Sequence, residues 1–141
     1  MTVIDPSTEF GAHVAERLER DELIWLTTVS ADGTPVPTLV WFLWTNGELL
    51  IHSQPDKPKL RHIARNPRVG LHLESNAAGN DVVVLTGEAR APAEPTTEEE
   101  RDRYNRKYAR GIEAIGMTPE SLAQEFSVPI RVSVSKLRGW V

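Results

Sequence analysis

The sequence predicts an α+β domain: an antiparallel β-barrel of six strands with short flanking helices inserted between them. Three observations carry this. The pairs Asp32-Gly33 and Asn46-Gly47 separate β-rich runs in the manner of tight hairpin turns. Later runs alternate apolar and polar residues with the period of a half-buried strand. The helical segments interrupt the strands instead of alternating with them, which disfavours βαβ units and a doubly wound sheet. At 141 residues, 40% hydrophobic and 26% charged, the chain is expected to form one domain over residues 1–141, with a core that needs neither disulfide nor structural metal.

In chain order, Phe10, Val14 and Leu18 mark one stripe of an amphipathic helix from about Thr8 to Arg20. Leu23 to Ser30 is rich in β-branched and aromatic residues and reads as the first strand. Pro35 to Trp44 is the second and Glu48 to Ser53 the third, and the two turns between them predict a three-stranded meander. Leu60, Ile63 and Ala64 place a short helix over Pro58 to Arg65, and Asn66-Pro67 ends it because a residue before proline is pushed out of the α region. Val69, Leu71 and Leu73 alternate in a fourth strand, and Val82 to Ala89 is a fifth. Thr97 and Glu100 have the spacing of a capping box, opening a helix to about Arg110 whose acidic start and basic end suit the macrodipole. Its charges read as a solvated face. Thr118-Pro119-Glu120 starts a further short helix to about Phe126, and Ile130, Val132 and Val134 begin a sixth strand that ends near Trp140.

Sixteen basic against twenty acidic residues leave a net charge of −4, which offers no field for phosphate backbones or anionic lipids, so neither a nucleic-acid nor a membrane partner is expected. No run approaches the ~20 apolar residues of a membrane span, and Met1 to Pro6 lacks a basic region followed by an apolar one. With no cysteine, disulfides, thiolate metal sites and thiol catalysis are excluded, and a cytoplasmic location is expected. There is no Gly-x-Gly-x-x-Gly for a nicotinamide dinucleotide and no Gly-x-Ser-x-Gly elbow. Gly111 and Gly116 have phosphate-loop spacing, but Met117 stands where the lysine would be, so the segment reads as a connection between helices. His13, His52, His62 and His72 lack zinc-site spacing, and no metal site is expected.

Two features stand out. In Val36 to Trp44, Leu39, Trp41 and Leu43 share one face while Val40, Phe42 and Trp44 share the other. Both faces are apolar, so a helix of the same chain, another subunit or a flat ligand must cover the second. The other feature is Lys57-Pro58-Lys59-Leu60-Arg61, three cations at a helix start, the end where the dipole prefers anions. They are either solvated side chains or one wall of an anion site in which dipole, N–H donors and charges converge.

The stretches Gly33 to Phe42, Leu50 to Ser53, Lys57 to Val69 and Val84 to Ala89, with the ending Arg138-Gly139-Trp140, resemble the split β-barrel flavin and deazaflavin oxidoreductases of the pyridoxamine 5'-phosphate oxidase-like superfamily, and within it the actinobacterial branch that uses coenzyme F420. The resemblance implies an FMN-binding split-barrel fold and a homodimer with two cofactor sites at the subunit interface. It assigns Lys57 and Lys59 to the cofactor phosphate, with Arg61 as a third cation, Thr38, Val40 and Trp41 to the strand that meets the ring, and Ile51, His52 and Ser53 to the adjoining strand. Trp140 falls on the C-terminal segment that approaches the site. Lys57 stands where many flavin-binding relatives carry arginine, which weakens the case for bidentate phosphate binding.

The activity so implied is hydride transfer from reduced F420 to a small unsaturated acceptor, with the coenzyme supplying the chemistry and no catalytic side chain required. His52 reads as a polar residue of the barrel wall, not as a proton donor. The alternatives are an FMN-dependent oxidase or reductase, or a flavin or deazaflavin carrier without turnover.

Overall fold

The computed structural model describes residues 3–141; Met1 and Thr2, part of the N-terminal stretch read above, lie outside the described residues. The elements in order are α1 (Glu9–Arg20), β1 (Ile24–Val29), β2 (Pro35–Val40), β3 (Leu43–Thr45), β4 (Glu48–Ser53), α2 (Pro58–Arg65), β5 (Arg68–His72), β6 (Val82–Arg90), α3 (Glu98–Lys107), α4 (Ala109–Ala114), α5 (Pro119–Glu125) and β7 (Val128–Trp140). The strands form one antiparallel sheet of seven in the order β2-β1-β5-β6-β7-β4-β3, which makes the fold α+β and consistent with a split barrel.

The expected count of six strands is corrected to seven. What reads as one strand from Pro35 to Trp44 is two, interrupted at Trp41 and Phe42. β2 pairs with β1 (Leu26 opposite Thr38), whereas β3 pairs with β4 (Leu43 opposite Leu50). The two pieces therefore lie at opposite edges of the hydrogen-bonded order, and the meander is not a continuous ladder. The physical reason is at Phe42, whose backbone polar groups are met by side chains instead of a strand. Its N–H donates to the Tyr108 hydroxyl at 2.9 Å, and its carbonyl accepts from Tyr108 and from Lys107 Nζ, each at 2.9 Å.

The interruption also sorts the apolar residues. Phe42, with Val40 and Trp44 beside it, packs into the barrel core with Leu18, Ile24, Leu49 and Ile51. Trp41 and Leu43 face the other way, onto a second core of Leu50, Tyr104, Tyr108, Ile112 and Leu122 beneath α3, α4 and α5. A helical layer of the same chain thus covers the second face from Trp41 to Leu43, and Leu39 stays 42% exposed.

The helix expected from Thr97 to about Arg110 is broken at Tyr108 into α3 and α4. The Thr97–Glu100 capping box forms, but Glu100 is buried, not solvated. Its carboxylate accepts from Arg131 at 2.8 and 3.0 Å and from the Thr45 hydroxyl at 3.0 Å, which ties α3 to β7 and β3. Burial of an acid is compensated here by a full set of charge-assisted partners. No helix among the described residues is long and apolar enough to cross a membrane.

Candidate functional site

Between the β2–β4 region and the α3–α5 layer lies a cavity of about 240 Å³. β2 and the residues after it supply Thr38, Leu39, Val40 and Trp41; β4 supplies His52, α2 supplies Lys59 and α3 supplies Tyr104. Ile115, Leu122 and Phe126 close it from α5 and the turn before it. A cleft of about 320 Å³, lined by Thr28, Val36, Thr38, Lys57, Pro58, Lys59 and His62, shares Thr38 and Lys59 with the cavity. One space is apolar and aromatic, the other carries the cations, and two side chains border both.

Local structure explains the arrangement. Pro58 at the first turn starts α2, whose N-cap, Lys57, makes no side-chain capping bond. The first turn has no acidic residue to offset the helix dipole, and within it Pro58 lacks an N–H while the Leu60 N–H bonds to the Lys57 carbonyl at 3.0 Å. Ile63 anchors the opposite side of the helix in the barrel core. α5, the roof of the cavity, is capped by Thr118 and Ser121 and is tied to the end of β4 by Gln54 Nε2, which donates to Glu125 at 2.7 Å.

Trp41 forms an aromatic wall: Tyr108 stacks on it at 4.5 Å between ring centroids, and Tyr104 meets Tyr108 at 4.8 Å. His52 approaches Tyr104 edge-on at 4.8 Å, and its Nε2 lies 2.7 Å from the Thr96 hydroxyl. Its Nδ1 is buried without a partner. Burial, followed by the nearby Arg101 and Arg131, lowers the His52 pKa to about 4, so the ring is neutral at pH 7. Burial likewise raises the Tyr104 hydroxyl above its usual value, so both groups are uncharged polar walls. Lys59 is half-buried, and its pKa falls below the ordinary lysine value, first from burial and then from Lys57.

Of the residues assigned by resemblance, Thr38, Val40, Trp41, His52 and Lys59 line the cavity, and Lys57 lines the cleft. The other four lie elsewhere. Ile51 is wholly inside the barrel core, because its position on β4 alternates away from the helical layer. Ser53 is buried and donates to the Gln54 carbonyl. Arg61 is exposed, one turn round α2 from Lys57, and its guanidinium lies 3.4 Å from the Asp56 carbonyl. Trp140 is 59% exposed at the end of β7 and donates to the Gly79 carbonyl at 3.1 Å. Sequence reasoning did not find Tyr104, Leu122, Phe126, Thr28 or His62. A signal for the first existed: Tyr104, Tyr108 and Ile112 recur every four residues, an apolar stripe on a segment dominated by charge. The Thr28–His62 contact, 2.8 Å between Oγ1 and Nδ1, joins residues 34 apart and left no local trace.

Comparison with known proteins bears on what such a site serves. The family described as Pyridoxamine 5'-phosphate oxidase matches residues 10–140. No curated protein matches the chain by sequence. Among solved structures, a Listeria innocua protein provisionally named a pyridoxamine 5'-phosphate oxidase is 22% identical, with a TM-score of 0.67 over 90% of this chain and 94% of its own. A protein named F420 reductase is 21% identical, with a TM-score of 0.64 over 87% and 94%. The heme storage protein HutZ of Vibrio cholerae is 16% identical, with a TM-score of 0.65 over 94% and 95%. At these identities the likeness shows the fold alone.

Proposed function

The chain belongs to the pyridoxamine 5'-phosphate oxidase family, and from that premise we propose that it is an oxidoreductase that takes hydride from reduced coenzyme F420 and passes it to a small unsaturated organic acceptor. The observation that carries the reading is the pair of joined spaces: an aromatic cavity bordered by Trp41 and a cationic cleft bordered by Lys57, with Lys59 facing both. A planar ring joined to a phosphorylated arm has that division of chemistry. Lys59 is a half-buried ammonium for which no described group provides a compensating charge, and an anionic ligand would supply one.

When bound, the coenzyme supplies the hydride chemistry. The residues present would hold it: Trp41 and Val40 against the ring, Thr38 at the junction, Lys57 and Lys59 toward negative charge. Leu39, Ile115 and Phe126 give the cavity apolar lining against which an organic acceptor would pack. His52, neutral and sealed by Thr96 and Tyr104, holds the wall and gives up no proton near pH 7. An FMN-dependent reaction or a carrier without turnover would use the same two spaces.

The proposal includes a homodimer. Leu39 lines the cavity and is 42% exposed, and Trp140 is exposed and does not line its own chain's cavity, so a second copy would cover the one and use the other.

The test is fluorescence titration of the purified chain with F420 and FMN, followed by mixing the preferred reduced form with candidate acceptors. Preferential F420 binding with oxidation on adding an acceptor is expected. Oxidation of NADH or NADPH without added flavin or deazaflavin would overturn the assignment.

A further inference from the structure

Lys57 and Lys59 stand two residues apart at the start of α2 and both border the cleft, yet of the two it is Lys59 that also borders the cavity. Lys57 is exposed and borders the cleft alone; Lys59 is half-buried and borders both cleft and cavity. Nearby charge only adds to the strain on Lys59: among the described residues Lys57 is the charge that acts on it, and no acceptor holds its ammonium. Nor is that ammonium sealed from solvent as the His52 Nδ1 is. A cation in this position acts on whatever occupies the aromatic cavity as well as on the arm in the cleft.

Resting on the ligand class proposed above, we infer that the two lysines divide the work: Lys57 holds the anionic arm, and Lys59 also stabilises negative charge on the ring, so that it sets the ring's reduction potential. A fixed cation would favour the charged form of a ring that has taken up hydride over its neutralisation by a proton from solvent. A hydride taken up by the ring brings two electrons and one proton and therefore adds one negative charge; passing the hydride to an acceptor removes it. In a low-dielectric cavity that charge is costly unless a fixed cation faces it. Lys57 and Pro58, at the start of α2, border the cleft and not the cavity, where Lys59 is the one cationic side chain in the lining.

The experiment compares Lys57→Gln, Lys59→Gln and Lys59→Arg with the native chain, using whichever of FMN and F420 binds, together with its phosphate-free counterpart (riboflavin, or the F420 ring with its ribityl chain alone). The readouts are the dissociation constant and the midpoint potential of the bound ring, equilibrated against reference dyes. Lys57→Gln is expected to weaken the phosphorylated ligand about tenfold or more, to spare the phosphate-free one, and to leave the potential unchanged. Lys59→Gln is expected to lower the potential with either ligand by about 30 mV, the two-electron equivalent of a tenfold loss of preference for the reduced ring, and Lys59→Arg to retain it. Lys59→Met serves the same comparison if the glutamine variant fails to fold. An unmoved potential in Lys59→Gln, or an equal shift in Lys57→Gln, overturns the division of labour while leaving the cofactor reading intact. Failure of the native chain to bind either cofactor overturns both.

Discussion

Tyr108 lies flat against Trp41, their rings 4.5 Å apart and within 7° of parallel, while its hydroxyl reaches past that ring to the backbone of Phe42. One residue, at the break between α3 and α4, thus supports the cavity wall and occupies the hydrogen-bonding groups at the break between β2 and β3. Its single hydroxyl proton is shared between the Phe42 carbonyl at 2.9 Å and the Glu22 carbonyl at 2.7 Å, which brings the approach to β1 to the same point. The shape of the site depends on where the split strand turns, and Tyr108 holds that turn.

Tyr108→Phe keeps the ring and removes the hydroxyl. The Phe42 N–H then loses its acceptor in a buried place, so the expected cost is about 1–3 kcal/mol. Denaturant unfolding should show a lower midpoint with an unchanged slope, and cofactor affinity should fall because the Phe42 backbone, beside Trp41, loses its hydroxyl partner while the stacked ring remains. A midpoint equal to that of the native chain would mean that the hydroxyl has no such role.

Glu100 and Arg131 form a buried pair across α3 and β7. Glu100→Gln is expected to cost about 3 kcal/mol, the low end for orphaning a buried charge, since Arg131 keeps the Glu94 and Pro95 carbonyls as acceptors. The hydrogen bonds from Arg131 hold the carboxyl down to about 2, from an ordinary value near 4.5. A depressed acid contributes stability that is complete above its unfolded value and lost as pH falls toward its folded one. Stability should therefore decline between about pH 4.5 and 2, and the glutamine variant should show a shallower decline over that window.

His52 should titrate near pH 4, well below the ordinary histidine value of 6.5, because burial penalises its charged form. Here the folded state binds the proton less readily than the unfolded chain does. The stabilisation is complete above about pH 6.5 and disappears as pH falls through about 4, so its window lies above that of Glu100. Following the ring protons by NMR gives the midpoint directly. A midpoint at or above 6 would show that the imidazole is solvated.

Gly87 sits at the bulge between β6 and β7, where a Cβ would lie 2.2 Å from the Ser133 carbonyl oxygen. Gly87→Ala has no room without a shift of backbone, and a loss of more than about 2 kcal/mol is expected. Thermal unfolding measures it, and a melting temperature within a degree or two of the native value would rule out so close an approach in solution.

The homodimer predicts a dimeric species in sedimentation velocity at micromolar concentration, with Leu39→Asp shifting it toward monomer because a charge would have to be desolvated in the interface. A stable monomer in the native chain across that range would remove this part of the proposal.

Much of the fold was written locally. α2 appears from Pro58 to Arg65 as its proline and spacing require, the Thr97 and Thr118 caps open α3 and α5, and the glycines of both early hairpins take positive φ. Each rests on preferences that act within a few residues of backbone, which sequence exposes. The cation cluster was legible for the same reason: it contradicts the local dipole.

Propensity, periodicity and charge order, which act over a few residues, placed most of the strands and helices, the doubly apolar stretch and the misplaced lysines. Only the tertiary structure decided that this strand breaks at Trp41 and Phe42, since the groups that replace its ladder, Tyr108 and Lys107, lie more than sixty residues further along. It also decided that Ile51 faces the core while His52 faces the cavity, that Lys59 and not Arg61 borders the aromatic space, and that a helix dominated by charge turns Tyr104 onto the cavity while Tyr108, just past its end, backs Trp41. These outcomes depend on which surfaces meet when the sheet curls and the helices close over it, and apolar burial is non-directional. Pattern says that a face must be covered; what covers it is settled by the packing of the whole chain.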